Sequence, residues 1–102
     1  MYRVEFSWRA NRDLDQTYYD IALKGFPDNA ERFVDSVFDH CLGLGAAPHR
    51  GTRRPRLGEN VRSTGFNWQI TIVYRVSDQH QSVIILRVLR RGRNVEKALK
   101  QS

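Results

Sequence analysis

The apolar residues of this chain change their spacing near its middle, and this change is what most constrains the fold. Between Ala30 and Leu42 they recur every three or four residues, the period of a helix with one buried face. Between Trp68 and Val76 they alternate with polar residues, the period of a strand. A chain with helical spacing first and strand spacing later is typical of a layered α+β domain.

The start of the chain predicts a short strand followed by a helix. Apolar and polar residues alternate over residues 2–6. Over residues 8–24 the apolar residues have helical spacing, and Ser7, just before this range, is available as the N-cap. Gly25 can adopt the left-handed conformation that ends a helix.

A second helix is predicted to begin at Pro27, a residue that suits the first helical position. Asp28 and Glu31 have the spacing of a capping box, with Asp in place of the usual Ser or Thr. Gly43 and Gly45 end the helical pattern. This helix carries the regular apolar face described above, so it is expected to pack on the sheet.

The second half of the chain predicts three strands, over residues 61–66, 68–76 and 82–90. In the middle strand one face is expected to carry Trp68, Ile70, Ile72, Tyr74 and Val76. The last strand is apolar on both faces, which is typical of a central strand. The loops between these strands are short, so the three strands should pair antiparallel in sequence order. Residues 95–100 are expected to form a frayed terminal turn.

The expected order is therefore β-α-α-β-β-β, one α+β domain over residues 1–102. A helical hairpin packs on one face of a small, mostly antiparallel sheet. A chain of 102 residues has room for one core. No apolar run approaches the roughly 20 residues of a membrane helix, and residues 1–6 lack the apolar stretch of a secretory signal. We therefore expect a cytoplasmic protein with no membrane partner.

The basic residues are concentrated in the second half of the chain. Residues 1–45 hold five Lys or Arg against eight Asp or Glu, a net charge of −3, whereas residues 46–102 hold twelve against three, a net charge of +9. Fourteen of the basic residues are arginine, which suits bidentate contacts with phosphate or carboxylate. This asymmetry predicts an acidic partner, either nucleic acid or an acidic protein segment.

Ten arginines are predicted to contact a target or a partner protein. Four lie in an aperiodic basic connector, residues 46–60, and the others lie in or just after the strands, where the sheet face left uncovered by the helices is expected to form an open, concave surface. The ten are Arg50, Arg53, Arg54, Arg56, Arg62, Arg75, Arg87, Arg90, Arg91 and Arg93.

Catalytic and metal sites have weak support in the sequence. His40, His49 and His80 stand far apart, and the single cysteine, Cys41, lies on an apolar helix face and is expected to be a core residue. One cysteine excludes an internal disulfide and fits a reducing cytoplasm. We predict no catalytic residues, no metal and no cofactor.

Cleavage of RNA would need a general base beside the arginines. His49, in the basic connector, is the best candidate, although a simple loop role is the favoured interpretation. Tyr74 is expected to pack in the core. Phe66 and Trp68 are the aromatic residues near enough to the arginines to stack on bases, and both also suit the core.

Several short motifs follow one another along the chain in a recognisable order. They are Phe6-Ser7 at the end of the first strand, Ala10, Asp13 and Leu14, Ala30 and Phe33, Pro48 and Gly51, Arg62, Ile72 to Val76, and Val83 to Leu89 ahead of an arginine cluster. In order and spacing, the chain from Tyr2 to Leu99 resembles the ParE-like toxins of the RelE/ParE superfamily, the toxic halves of bacterial type II toxin–antitoxin pairs. The superfamily fold is similar to the order of elements predicted above.

The resemblance implies two candidate activities. RelE-like members cleave messenger RNA on the ribosome with basic residues and, commonly, a tyrosine near the C-terminus, whereas ParE-like members poison DNA gyrase. This sequence has no tyrosine after Tyr74. In the five residues at the end of the last predicted strand, residues 90–94, ParE-like chains often carry a histidine at the first position and an aspartate at the fifth. This sequence has Arg90 and Asn94 at these two positions.

We therefore favour a toxin that inhibits or poisons DNA gyrase. The alternative is a RelE-like, ribosome-dependent endoribonuclease acting on messenger RNA, and a second alternative is a non-toxic basic module that binds nucleic acid. Both toxin hypotheses imply a cognate antitoxin whose C-terminal segment is acidic and amphipathic and covers the helical hairpin and part of the arginine-lined sheet.

Overall fold

The computed structural model describes residues 1–100, which form three α-helices and a five-stranded sheet. In chain order the elements are β1 (Arg3–Phe6), α1 (Trp8–Ala22), α2 (Pro27–Gly43), β2 (Thr52–Arg53), β3 (Val61–Phe66), β4 (Ile70–Ser77), β5 (Ser82–Arg90) and α3 (Val95–Lys100), with a 3₁₀ turn at Pro55–Leu57. The strand order is β1-β5-β4-β3-β2. β1 runs parallel to β5, and the other pairs are antiparallel. The predicted α+β architecture is confirmed, with β2 and α3 as additional elements.

The start of α1 forms as its sequence predicts. Ser7 is the N-cap, and its Oγ accepts a hydrogen bond from the backbone N–H of Ala10 at 3.0 Å. The same hydroxyl donates to the carbonyl of Leu86 at 2.9 Å, which ties the helix start to β5. The helix ends at Ala22, two residues before the predicted end, and Gly25 has the expected left-handed φ of +94°.

The start of α2 differs from the sequence prediction. Pro27 is its first residue, as expected, but the capping box of Asp28 and Glu31 is not formed. Phe26 occupies the N-cap position without a side-chain hydrogen bond to the helix. Asp28 lies inside the first turn, where a carboxylate interacts favourably with the positive end of the helix dipole.

The main core lies between the helical hairpin and one face of the sheet. Its buried residues are Ala10, Leu14, Val37, Cys41, Leu44, Ile70, Ile72, Tyr74, Val76, Val83, Ile85 and Val88. Cys41 is fully buried, as predicted, and burial raises the pKa of its thiol to about 12. The thiol therefore stays protonated, and hence unreactive, near neutral pH.

An irregularity in β5 changes which residues face this core. Val73 pairs with Arg87 and Tyr74 pairs with Ile85, so Leu86 is an extra residue in β5. As a result Ile85 packs under the helical hairpin, while Leu86 packs on the opposite side of the sheet.

The opposite face of the sheet is partly covered, which corrects the expectation of an open concave surface. The helix α3 replaces the predicted frayed turn, and its Ala98 is buried against Val61, Val73 and Leu89. Leu57 of the 3₁₀ turn packs against the same cluster. Apolar side chains on this face of the sheet need cover, and α3 provides it.

A buried ion pair joins α1, β5 and α3. Two nitrogens of Arg87 contact the two carboxylate oxygens of Asp13, Nε at 2.7 Å and Nη2 at 2.9 Å, and the carboxylate raises the pKa of Arg87. A third nitrogen, Nη1, donates to the carbonyl of Ala98 at 2.7 Å. Asp13 also accepts the backbone N–H of Val88 at 2.9 Å. The two side chains are only 9% and 15% exposed, so water screens this pair weakly.

We expect Asp13→Ala to lower the free energy of unfolding by about 3–5 kcal/mol, because it leaves the Arg87 guanidinium buried without a counter-charge. Asp20→Ala is the matched control, since Asp20 forms a much more exposed pair with Arg90, whose nitrogen lies 3.2 Å away. The control should cost about 0–1 kcal/mol. Urea unfolding followed by circular dichroism measures both, and similar small losses in the two variants would contradict the role given to Asp13.

Candidate functional site

The basic connector is fixed to the edge of the sheet by hydrogen bonds. The hydroxyl of Tyr74, a fully buried core residue as predicted, accepts the N–H of Gly51 at 2.9 Å. A side chain at Gly51 would collide with this hydroxyl, because a Cβ there would lie 2.6 Å from it. Arg62 donates to the carbonyls of His49 and Gly51 at 3.0 and 2.8 Å. The connector is thus an ordered part of the surface.

The short strand β2, which was not predicted, pairs part of the connector with β3. We call Arg50, Arg53, Arg54 and Arg56 the connector arginines. Arg53 pairs with Arg62 across β2 and β3. The backbone N–H of Arg54 donates to Val61 at 2.8 Å, and its Nε donates to Ser63 Oγ at 2.7 Å. All four connector arginines are exposed at this edge.

The ten arginines predicted for binding do not share one surface. Arg87 is 7% exposed and its guanidinium is committed to Asp13 and Ala98, so we expect no partner contact there. Arg62 is half-buried and holds the connector. The other eight are exposed, and Arg75 lies opposite Val61, beside the connector. Arg90, Arg91 and Arg93 lie at the opposite end of the strands, where Arg90 is paired with Ile70.

His49 lies in a cavity of about 470 Å³ beside the connector, lined also by Arg53, Arg62 and Asp78. Its Nε2 lies 2.9 Å from Asp78 Oδ1, and Tyr2 donates its hydroxyl to the same oxygen at 2.7 Å. This hydrogen bond from Tyr2 lowers the pKa of Asp78 and raises the pKa of Tyr2. The cavity therefore holds an imidazole oriented by a carboxylate, beside two guanidinium groups.

His49 is the candidate base that the sequence indicates, but its partner Asp78 was not predicted. Asp78 is 29 residues away, in the β4–β5 turn, and only the pairing of the strands brings the two together. A hint lies in the second half of the chain, where Asp78 is one of only three acidic residues among twelve basic ones. Such an isolated carboxylate has many cationic groups available as partners.

The helical hairpin exposes several large apolar side chains. Trp8 and Tyr19 of α1 are 62% and 59% exposed, and Leu23, the residue after its end, is 84% exposed. Their spacing places the three on one side of the helix. Phe38 and Leu42 on α2 are 39% and 43% exposed. Exposed apolar surface on adjacent helices is typical of a protein-binding site.

The prediction that Trp68 belongs to the strand and suits the core is wrong. β4 begins at Ile70, and Trp68 lies in the β3–β4 turn with its side chain 90% exposed. Phe66, by contrast, is partly buried against the main core, where its ring centroid lies 4.9 Å from that of His40. The pKa of His40 is lowered, mainly because its ring is partly buried and also because the positive charge of Arg50 is nearby.

None of the helices within residues 1–100 is long and apolar enough to cross a membrane.

Solved structures of toxin–antitoxin proteins are similar to this chain. One is a chromosomal ParDE system from P. aeruginosa, with a TM-score of 0.73 at 25% identity over 88% of this chain and 96% of that chain. Another is the RelBE2 toxin–antitoxin complex from Mycobacterium tuberculosis, with a TM-score of 0.66 at 27% identity over 90% and 93%. The intact E. coli RelBE complex, at 14% identity, a TM-score of 0.60 and coverage of 91% and 100%, shares the fold.

None of the curated protein sequences is significantly similar to this chain. The model of one family, described as the ParE toxin of type II toxin–antitoxin systems, matches residues 4–95. This match extends from β1 into the start of α3, and so includes the hairpin, the connector and every strand except the first residue of β1. Since it covers most of the sequence, the chain belongs to the ParE family of type II toxin–antitoxin toxins.

Proposed function

We propose that this toxin inhibits or poisons DNA gyrase, and that an acidic cognate antitoxin neutralises it. The observation that carries the choice of target is the position of Tyr74. It is the last tyrosine of the sequence, it is fully buried, and its hydroxyl is used to fix the connector. RNA-cleaving members of the superfamily commonly carry a tyrosine near the C-terminus, and this sequence has none there, so the gyrase-directed activity fits this chain better.

The connector arginines support an acidic antitoxin. The ion pairs among residues 1–100 are Arg3–Glu5, His49–Asp78, Arg87–Asp13 and Arg90–Asp20. The connector arginines therefore have no carboxylate partner within the described chain. Exposed guanidinium groups at a sheet edge favour association with a carboxylate-rich segment and direct its approach.

The exposed apolar side chains of the helical hairpin support an amphipathic segment. Trp8, Tyr19 and Leu23 provide a surface for its apolar side, while the connector provides charge for its acidic side. A segment that folds on binding can wrap both features. This is the function we propose for the hairpin and the connector together.

The gyrase proposal is tested with purified gyrase, supercoiled plasmid and ATP. We expect the toxin to trap cleaved DNA or to abolish supercoiling, because a gyrase poison stops the enzyme during its DNA-cleavage cycle. Addition of the cognate antitoxin should restore normal products. A folded, antitoxin-free sample that leaves both reactions unchanged would contradict the proposal.

The role of the connector is tested by reversing two charges, Arg53→Glu with Arg54→Glu. Antitoxin affinity should fall at least about tenfold at low salt, because like charges then face the acidic segment, and the loss should shrink at high salt. Arg3→Glu with Lys97→Glu is the matched control, since it changes the net charge equally on β1 and α3, outside the helical hairpin and the connector. Isothermal titration calorimetry at two salt concentrations measures the affinities, and equal losses in both double variants would contradict a specific role for the connector.

RNA cleavage remains as a second candidate because of the His49–Asp78 pair. In such a reaction His49 would remove the proton of a ribose 2′-hydroxyl, whose oxygen attacks the adjacent phosphorus. The bond from phosphorus to the 5′-oxygen then breaks, and this oxygen leaves as a hydroxyl after taking a proton from water. Arg53 and Arg62, which line the same cavity, would stabilise the added negative charge.

This candidate predicts ribosome-dependent cleavage of messenger RNA that falls about 100-fold or more in His49→Ala, the usual contribution of a general base. His80→Ala is the control, because His80 is exposed in the β4–β5 turn and does not line the cavity. Within residues 1–100 its side chain forms no hydrogen bond to Asp78. Gel analysis of the RNA gives the rates. Intact RNA with the wild-type toxin, or equal rates in the two variants, would remove this candidate.

A further inference from the structure

The turn between β3 and β4 holds a tryptophan in an unfavourable backbone conformation. Asn67 and Trp68 have φ values of +52° and +61°, and the N–H of Gln69 donates to the carbonyl of Phe66 at 3.2 Å. Two successive residues with positive φ are what a type I′ turn requires. We call Asn67 and Trp68 the hairpin tip.

The turn that joins β3 and β4 does not need a tryptophan in order to fold. Gly or Asn is favoured at both positions of such a turn, and a bulky residue with positive φ is a rare exception. Burial brings nothing in return, because the Trp68 side chain is 90% exposed. Strained residues of this kind are concentrated at binding sites.

Arginines at the end of β5 lie next to the hairpin tip. The backbone N–H of Arg91 donates to the carbonyl of Gln69 at 2.8 Å, and Arg93 follows in a tight turn closed by its N–H to the carbonyl of Arg90. Arg91 and Arg93 are exposed, and neither is in an ion pair among residues 1–100. The tip therefore combines an exposed aromatic face with two available positive charges.

The surroundings of Trp68 favour stacking over hydrophobic docking. Asn67 and Gln69, its neighbours in the chain, are polar and exposed, so Trp68 does not extend an apolar patch. A flat aromatic side chain beside guanidinium groups is the combination with which proteins hold unpaired bases and their phosphates.

We propose that the hairpin tip binds single-stranded nucleic acid, with the Trp68 ring stacked on an unpaired base and Arg91 and Arg93 in contact with flanking phosphates. The shared chemistry is an unpaired base on a phosphate backbone, which a DNA strand break and an RNA chain can both offer. This site uses neither the connector nor the His49 cavity, so it stands or falls independently of the gyrase and ribonuclease proposals.

The test uses the full-length toxin and a fluorescently labelled oligodeoxythymidine of about 15 nucleotides, without gyrase. Fluorescence anisotropy measures the affinity. Trp68→Gly should weaken binding about 5- to 150-fold, the usual loss for one stacked base. Trp8→Ala is the matched control, because Trp8 is a second exposed tryptophan, 62% exposed, on α1. Its affinity should equal that of the wild type.

The Gly substitution also separates binding from folding. Asn-Gly is the preferred sequence for a type I′ turn, so Trp68→Gly should melt at the wild-type temperature or above it. Trp68→Phe, which keeps an aromatic face, should retain most of the affinity. A Trp68→Gly variant that is folded and binds as tightly as the wild type would overturn the proposal, and so would equal losses in Trp68→Gly and Trp8→Ala.

Two further measurements define the ligand. Arg91→Ala should reduce the slope of log affinity against log salt by about 1, as expected for the loss of one phosphate contact. An oligouridine of equal length shows whether DNA or RNA is preferred, and either preference supports an unpaired-base site. Blunt duplex DNA should bind more weakly than both single strands, and duplex binding as tight as single-strand binding would overturn base stacking.

Discussion

The buried contact between Asp13 and Arg87 determines how the layers of this protein fit together. β1 pairs with β5 only from Ser82 to Ile85, so the edge of β5 beyond that point lacks a strand partner. Ser7 and Asp13 supply the missing hydrogen bonds, to Ile85, Leu86 and Val88. Because Arg87 then links Asp13 to the carbonyl of Ala98, one pair of side chains fixes α1 at the edge of the sheet and α3 on its far face.

This arrangement determines which parts of the sheet remain exposed. The helical hairpin covers one face of the sheet, and α3 with the 3₁₀ turn covers part of the other. Unpaired charge is therefore found at the margins, at the β2 edge and beyond the end of β5. A two-residue edge strand rich in arginine also limits unwanted pairing with other strands, since charge and short length both oppose it. The exposed arginines at this edge take no part in either core cluster.

The regular parts of the fold were readable from the sequence because each follows from local periodicity. β3 and β5 have the predicted bounds, and α1 and α2 begin where Ser7 and Pro27 indicate. Strand alternation does not show where a turn begins, so it predicts Trp68 in β4 although the strand begins at Ile70. The extra residue at Leu86 has no local signal either, because every neighbour in that run except Arg87 is apolar.

The candidate site around the basic connector was less predictable than the fold, because its contacts join residues that are distant in the chain. The arginine-rich connector was visible as composition, but its hydrogen bonds to Tyr74 and Arg62 depend on the register of β3 and β4. The Asp13–Arg87 pair has one signal in the sequence. Asp13 falls between Ala10 and Leu14 on the apolar side of α1, and a charge in that position requires a buried partner.

Arg87 and Trp68 are both unfavourable residues for their local structure, but they differ in whether the chain itself compensates them. A charged residue inside an apolar strand is unfavourable, but Asp13 and Ala98 satisfy its guanidinium within the chain. A bulky residue in a left-handed turn is also unfavourable, and no burial offsets it, since Trp68 is 90% exposed. When the chain itself compensates a violation, the residue serves the fold. Because nothing within residues 1–100 buries the ring of Trp68, its compensation is to be sought in a partner, and the arginines beside it indicate a negatively charged one.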